Sequence, residues 1–357
     1  MTDPLGDTAE DAGQWWLAYQ LAENDQAEAL RERAEAGDEH ARRQLASWLS
    51  DRAGSDRARM AEAIEVIHPL ADAGDAGGPC GLAAGVVTAR DALPRPTAMV
   101  TGVRLAYDDA GSGDCVVLIH GHPFDRTLWQ PQLAALRDGF RVVAPDLRGF
   151  GHSPVTQHLV TMREFAADIE ELLGVLGIGR AAVVGLSMGG LVTMELAASQ
   201  PARYWAIGLV ATTMEPPTAA ERAARRQRAD AVERDGMQVL LDYMHTGVYG
   251  PRCPAPVRAR VDAMMSAAPP AGAAAALRGR AERPDYRALL TGLDIPALVC
   301  TGSADPWSDP AVTAEIIAHL KRPEPVVIDG VGHLPNLEAE DDFNDILCAF
   351  LRAHAPG

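Results

Sequence analysis

The stretch "VVGLSMGGLV" (Val183–Val192) places one hydroxyl, Ser187, in a glycine-rich turn between an apolar run and a run of helix formers. The spacing Gly185-x-Ser187-x-Gly189 decides nothing alone: with ten serines and 33 glycines in 357 residues it is expected by chance about 0.09 times. Its surroundings carry the weight. "AAVVGL" (Ala181–Leu186) is apolar enough for a strand, and "MGGLVTMELAAS" (Met188–Ser199) reads as a helix. Side chains at 185 and 189 would collide across so tight a strand-to-helix turn, which explains the glycines. Such a turn holds the Ser187 oxygen out above the sheet edge as a candidate nucleophile. A phosphate-cradling loop occupies a similar place, but "GLSMGG" has neither the P-loop lysine nor the G-x-G-x-x-G spacing.

Further runs of strand length flank this one: "CVVLIH" (Cys115–His120), "RVVAPD" (Arg141–Asp146), "AIGLVA" (Ala206–Ala211), "ALVCTG" (Ala297–Gly302) and "PVVIDG" (Pro325–Gly330). Helical segments separate most of them. Apolar strands alternating with helices predict an α/β fold with a mostly parallel sheet covered on both faces. From about Thr213 to Tyr286 the alternation gives way to a long helical insertion rich in Ala and Arg.

A serine hydroxyl needs a base, and the base needs an orienting acid. His333 in "GVGHLPNLE" follows the last strand, and Asp305 in "TGSADPWSDP" follows the one before it. The chain order Ser187, Asp305, His333 is the one this arrangement requires. Asp309 is the rival acid and Glu215 a weaker one. For the oxyanion, the expected donors are the backbone N–H groups of Met188, directly after the serine, and of His122, in the loop after "VVLIHGHPF". Phe124 and Trp129 are candidates for the pocket wall, although core packing suits Trp129 equally. His120 and His122 form an H-x-H pair without a third ligand at a fitting spacing, so neither a metal nor a cofactor is expected.

The formal charge of −17, with one lysine (Lys321) among 32 basic residues, disfavours nucleic acid and anionic membranes as partners. Solubility is its simplest meaning. No run approaches the length of a membrane span, and the acidic start "MTDPLGDTAEDAGQ" lacks a signal-peptide pattern, so a cytoplasmic location is expected. Five scattered cysteines without C-x-x-C fit reduced thiols, with Cys115 and Cys300 packing as small hydrophobes. Residues 1–92 form a separate helical domain in this reading. "AEAGD" (Ala34–Asp38) recurs as "ADAGD" (Ala71–Asp75), and Leu45 and Leu82 repeat with the same period of 37 residues. This N-terminal part resembles tetratricopeptide-type repeats and is a candidate for a homodimer or protein-partner contact. "DALPRPTAMV" (Asp91–Val100) supplies a linker.

"HGHPFDRTLWQPQL", "APDLRGFGHS", "VVGLSMGG", "TGSADPW" and "GVGHLPNLE", in that order from residue 97 to the end, resemble the α/β-hydrolase superfamily. The likeness is closest to the branch of enol-lactone hydrolases and cofactor-free haloperoxidase-like esterases. It implies an α/β-hydrolase domain over 97–357 with catalytic Ser187, His333 and Asp305 and oxyanion amides at His122 and Met188. Asp146 and Arg148 match a loop that shapes the site. A helical cap at about 213–290 would choose the substrate, with Tyr243, Met244, His245 and Tyr249 as candidate lining residues. The resemblance further implies a serine hydrolase acting on a small carboxylic ester or lactone. A biosynthetic use of the same triad (cyclisation, thioester or C–C bond cleavage) stays open, as does a partner-binding role in which the repeats recruit or regulate the hydrolase domain.

Overall fold

The computed structural model describes residues 96–357; the repeats expected over residues 1–92 lie outside the described residues. The described residues carry an eight-stranded sheet in the order β1-β2-β4-β3-β5-β6-β7-β8. Its strands are β1 (Thr97–Val100), β2 (Val103–Ala110), β3 (Cys115–Ile119), β4 (Arg141–Pro145), β5 (Ala181–Leu186), β6 (Tyr204–Val210), β7 (Ala297–Gly302) and β8 (Pro323–Ile328). The strands from β4 across to β8 run parallel, while β1 pairs antiparallel with β2 and β2 with β4.

The central strands β3, β5, β6 and β7 are buried at every position, as expected of a sheet covered on both faces. Two features depart from the apolar-run reading. In the hairpin β1–β2 only β1 alternates, and β2 buries no more than the three consecutive residues Leu105–Tyr107, so neither presents an apolar run of full strand length. At the other margin β8 begins two residues earlier than "PVVIDG" suggests and is largely exposed, because it pairs only with β7. Cys115 and Cys300 are buried free thiols that burial pushes up to about 12, so they pack as hydrophobes and do not ionise.

Helices α1 (Gln130–Leu136), α2 (Met162–Val175) and α3 (Met188–Ser199) connect the first half of the sheet. Thr161 and Glu164 close a reciprocal capping box at the start of α2. α3 is apolar on all sides because it is enclosed: Met188 to Met194 is buried without interruption. Between β6 and β7 the chain inserts α4 (Ala219–Asp235), α5 (Gln238–Met244), α6 (Ala255–Ala267) and α7 (Pro270–Ala281) and returns through α8 (Arg287–Gly292). Glycines let this insertion sit directly on the sheet domain: a Cβ on Gly272 would lie 1.9 Å from the Gly149 carbonyl oxygen, and one on Gly279 1.7 Å from that of Val160. α9 (Pro310–His319), α10 (Pro335–Glu338) and α11 (Glu340–His354) complete the chain. No helix among the described residues is long and apolar enough to cross a membrane.

The strand order positions the site. From β3 the chain moves to β4 on one side, then returns to β5 on the other. This reversal leaves a crevice at the carboxyl ends of β3 and β5, the place where parallel α/β sheets bind ligands. Ile119 is in register with Gly185, so the loop after β3 and the turn after β5 leave the sheet side by side.

Candidate active site

Ser187 has φ +53° and ψ −111°, a conformation non-glycine residues rarely adopt. Its N–H donates to the Val210 carbonyl at 2.8 Å, and its own carbonyl accepts from Thr212 Oγ1 at 2.8 Å. The flanking glycines are sterically required. A Cβ on Gly185 would meet the Gly189 carbonyl oxygen at 2.1 Å, and one on Gly189 the Ile119 carbonyl oxygen at 2.2 Å. Met188 is the first residue of α3, where a helix leaves its N–H groups without intrahelical acceptors. The His122 N–H, in the loop after β3, meets no backbone acceptor among the described residues.

The loops after β7 and β8 bring Asp305 and His333 together. His333 Nδ1 lies 2.7 Å from Asp305 Oδ2, with both side chains buried. The carboxylate also accepts from the Trp307 N–H at 2.9 Å and from Ser308 Oγ. Burial alone would push Asp305 up, but attraction to His333 and the hydrogen bonds from His333, Ser308 and Trp307 outweigh it and hold the group below its ordinary range. His333 N–H donates to the Val248 carbonyl at 3.2 Å, tying the loop to the insertion, and Trp307 stands edge-on against the imidazole at 4.9 Å.

Ser187 and His333 open into one cavity of about 480 Å³, roofed by the helical insertion and walled also by His122, Tyr243, Met244 and Trp307. The His122 ring packs inward: its Nε2 lies 2.9 Å from the Ala273 carbonyl, to which the Nε2–H donates. Burial, with Arg280 nearby, pushes this imidazole down to about 3, so it is neutral at ordinary pH.

The other candidate side chains take different places. Phe124 and Trp129 do not wall the cavity; they are 1% and 0% exposed, with Trp129 packed against Phe343. Trp129 turns into the core because the 3₁₀ turn Arg126–Trp129 buries it together with Leu128. His245 and Tyr249 are not among the residues that line the cavity, and both hydrogen-bond Asp262 on α6. Asp309 caps α9 through the N–H groups of Ala311 and Val312. Glu215 does line the cavity, but its ion pair is with Arg287 and not with His333. Both His120 ring nitrogens are engaged, Nε2 accepting from the Leu147 N–H and Nδ1 meeting the Gly121 carbonyl. Asp146 and Arg148 act structurally: Asp146 receives Arg126 and the His152 N–H, and Arg148 clamps Asp168. The sequence reading missed Arg225, Arg280 and Arg283, which line the cavity from α4 and the end of α7. The one available signal was the concentration of arginines in the insertion, and it does not say which of them turn inward.

Comparison with known proteins agrees with this architecture. Residues 116–346 match a family model described as the alpha/beta hydrolase family. The chain is 31% identical over 239 residues to 3-oxoadipate enol-lactonase 1 of Acinetobacter baylyi, spanning 64% of this chain and 85% of that protein. Among solved structures, an esterase from Thermogutta terrifontis with malate bound is 35% identical, with a TM-score of 0.71 over 73% of this chain and 99% of that one. The enol-lactonase of Burkholderia xenovorans LB400 is 29% identical, with a TM-score of 0.66 over 72% and 100%. With the family match spanning most of the sheet, the strained serine turn and the loops after β7 and β8, the chain belongs to the α/β-hydrolase family.

Proposed function

We propose that this hydrolase cleaves a small carboxylic ester or lactone by serine catalysis. The observation that carries the reading is the shared cavity: the strained Ser187 turn and the Asp305-bound imidazole of His333 open into it together. In this mechanism Asp305 fixes the tautomer with the proton on Nδ1, leaving His333 Nε2 free to take the Ser187 proton. Ser187 Oγ then attacks the carbonyl carbon. The developing oxyanion rests on the backbone N–H groups of Met188 and His122, each such donor contributing about 2.7–4 kcal/mol in the transition state. His333 protonates the departing alkoxide, which in a lactone stays attached to the acyl group. It then deprotonates a water that attacks the acyl-enzyme and frees Ser187. The helical insertion serves as a cap, and a cavity of about 480 Å³ suits a small ligand.

A fluorophosphonate probe should label the protein, and Ser187→Ala should abolish labelling. Turnover of short p-nitrophenyl esters should fall about 10⁶-fold in that variant if the three residues act as a unit. Labelling that persists in Ser187→Ala would remove the serine from the mechanism.

A further inference from the structure

The arginines of the insertion divide into those paired with a carboxylate and those that are not. Arg222 and Arg226 pair with Glu282, and the buried Arg278 pairs with Asp230 and Glu233. No ion pair among the described residues joins Arg225, Arg228, Arg280 or Arg283 to a carboxylate. Arg283 is satisfied by carbonyls, its Nε donating to Glu215 O at 2.9 Å. Arg225 and Arg280 are not. A terminal nitrogen of Arg225 and the Nε of Arg280 are buried without any hydrogen-bond partner. Both residues line the serine cavity, and both also line a smaller lobe of about 130 Å³ that shares His122, Tyr243 and Met244 with it. Arg228 borders that lobe, its guanidinium 3.5 Å from the centre of the Tyr243 ring.

An unpaired buried cation is costly, and several crowded together repel one another. Two carboxylates share the cavity without forming an ion pair to Arg225 or Arg280, although the Glu221 charge attracts both Arg225 and Arg283. Glu221 is held in the capping box of Thr218 at the start of α4, and Glu215 lies 3.8 Å from Arg287. Burial, reinforced by the neighbouring Arg225 and Arg283 charges, pushes Arg280 down to about 9. Positive charge of this kind, facing a cavity with buried N–H groups unbonded and no ion pair to Arg225 or Arg280, suits an anion from outside.

We propose that Arg225 and Arg280, with Arg228 behind them, form a carboxylate-binding subsite, so that the substrate is an ester or lactone bearing a free carboxylate. This deepens the ester-cleavage reading and rests on it for the reacting bond. The planar guanidinium fork matches a carboxylate in bidentate geometry. The small side lobe suits the end of a short acidic chain while the carbonyl lies at Ser187. The net negative charge of the protein thus gives no guide to its ligand, because the local field in the cavity has the opposite sign.

Binding can be tested without turnover, so that failure of the hydrolytic reading and failure of the subsite are separable. Ser187→Ala protein is titrated by calorimetry with glutarate and with its neutral diamide, glutaramide. Glutarate should bind at least about 10-fold more tightly. Adding Arg225→Gln or Arg280→Gln should weaken glutarate about 10–100-fold and glutaramide much less, as expected for a lost hydrogen bond between charged groups. Circular dichroism and Tm establish that each variant folds, and Arg280→Lys, which keeps charge but loses the fork, should fall between. In the active protein, the glutarate mono-p-nitrophenyl ester should exceed p-nitrophenyl butyrate in kcat/KM, and both Gln variants should erase that preference. Equal binding of glutarate and glutaramide, absence of binding by either, or unchanged glutarate affinity in both Gln variants would overturn the subsite. Inorganic phosphate binding more tightly than glutarate would overturn the carboxylate assignment.

Discussion

Replacing Asp305 by Asn changes one atom, and the surrounding hydrogen bonds dictate the result. Asp305 Oδ1 accepts the Trp307 N–H, while Oδ2 faces His333 Nδ1 and Ser308 Oγ. An asparagine can place its oxygen toward only one of these sides. With the amide NH₂ toward Trp307, two N–H groups would face each other, at a cost of about 1–3 kcal/mol for unsatisfied buried donors. With the oxygen toward Trp307, the NH₂ donates to His333 Nδ1, and Ser308 can turn its hydroxyl toward Thr301 Oγ1 at 3.4 Å. The second arrangement is favoured, and it forces the His333 proton onto Nε2. An imidazole in that tautomer cannot accept the Ser187 proton. Loss of the correct tautomer and of the carboxylate charge typically lowers kcat about 10⁴-fold, equivalent to about 5 kcal/mol of transition-state stabilisation. Steady-state hydrolysis of p-nitrophenyl acetate at pH 7, with Tm measured alongside, provides the assay. Asp309→Asn is the control, since that side chain caps α9 on the surface. A fall of less than about 100-fold in folded Asp305→Asn would refute the assignment of Asp305 as the orienting acid.

Other outcomes follow from the same contacts. Because Asp305 is held below its ordinary pKa, it adds stability above the unfolded carboxylate value of about 3.9 and loses it as pH falls through the lower folded value. The stability difference between wild type and Asp305→Asn, measured by urea titration, should therefore narrow below pH 4. Trp129→Ala should cost about 3–5 kcal/mol of stability through the cavity it leaves, with no change in the ranking of ester substrates; a changed ranking would return this side chain to the pocket wall. Asp168→Ala strands the mostly buried Arg148 and should cost about 3–5 kcal/mol in the same titration. Gly189→Ala drives a methyl group into the Ile119 carbonyl, so soluble yield and ester turnover should collapse together; a normal variant would mean that the turn tolerates a side chain.

The fold was legible where burial was two-sided. β3, β5, β6 and β7 are enclosed on both faces, so their sequences are unbroken apolar runs, and the turn glycines betray the positions where backbone meets backbone. β1 and β2 carry mixed patterns, and a local pattern shared with loops and helices is weak evidence for a strand. Within the site, Ser187, Asp305 and His333 stood out because each follows a recognisable strand. Phe124, His245 and Tyr249 lie outside the cavity and Trp129 takes the core alternative, because residue type and chain proximity say nothing about the direction in which a loop or an inserted helix turns its side chains.

By itself, then, the sequence determined the parallel sheet, the strained serine turn after β5 and the order of the groups set around it, since these depend on local periodicity and on steric demands within a few residues. Tertiary structure alone decided which insertion residues face the serine. α4 carries Arg222, Arg225, Arg226 and Arg228 within two turns, and only its packing against α7 sends Arg222 and Arg226 to Glu282 while turning Arg225 inward beside Arg280. Helical periodicity sets the angles between those side chains, but the rotation of the helix about its axis is fixed by contacts with distant parts of the chain.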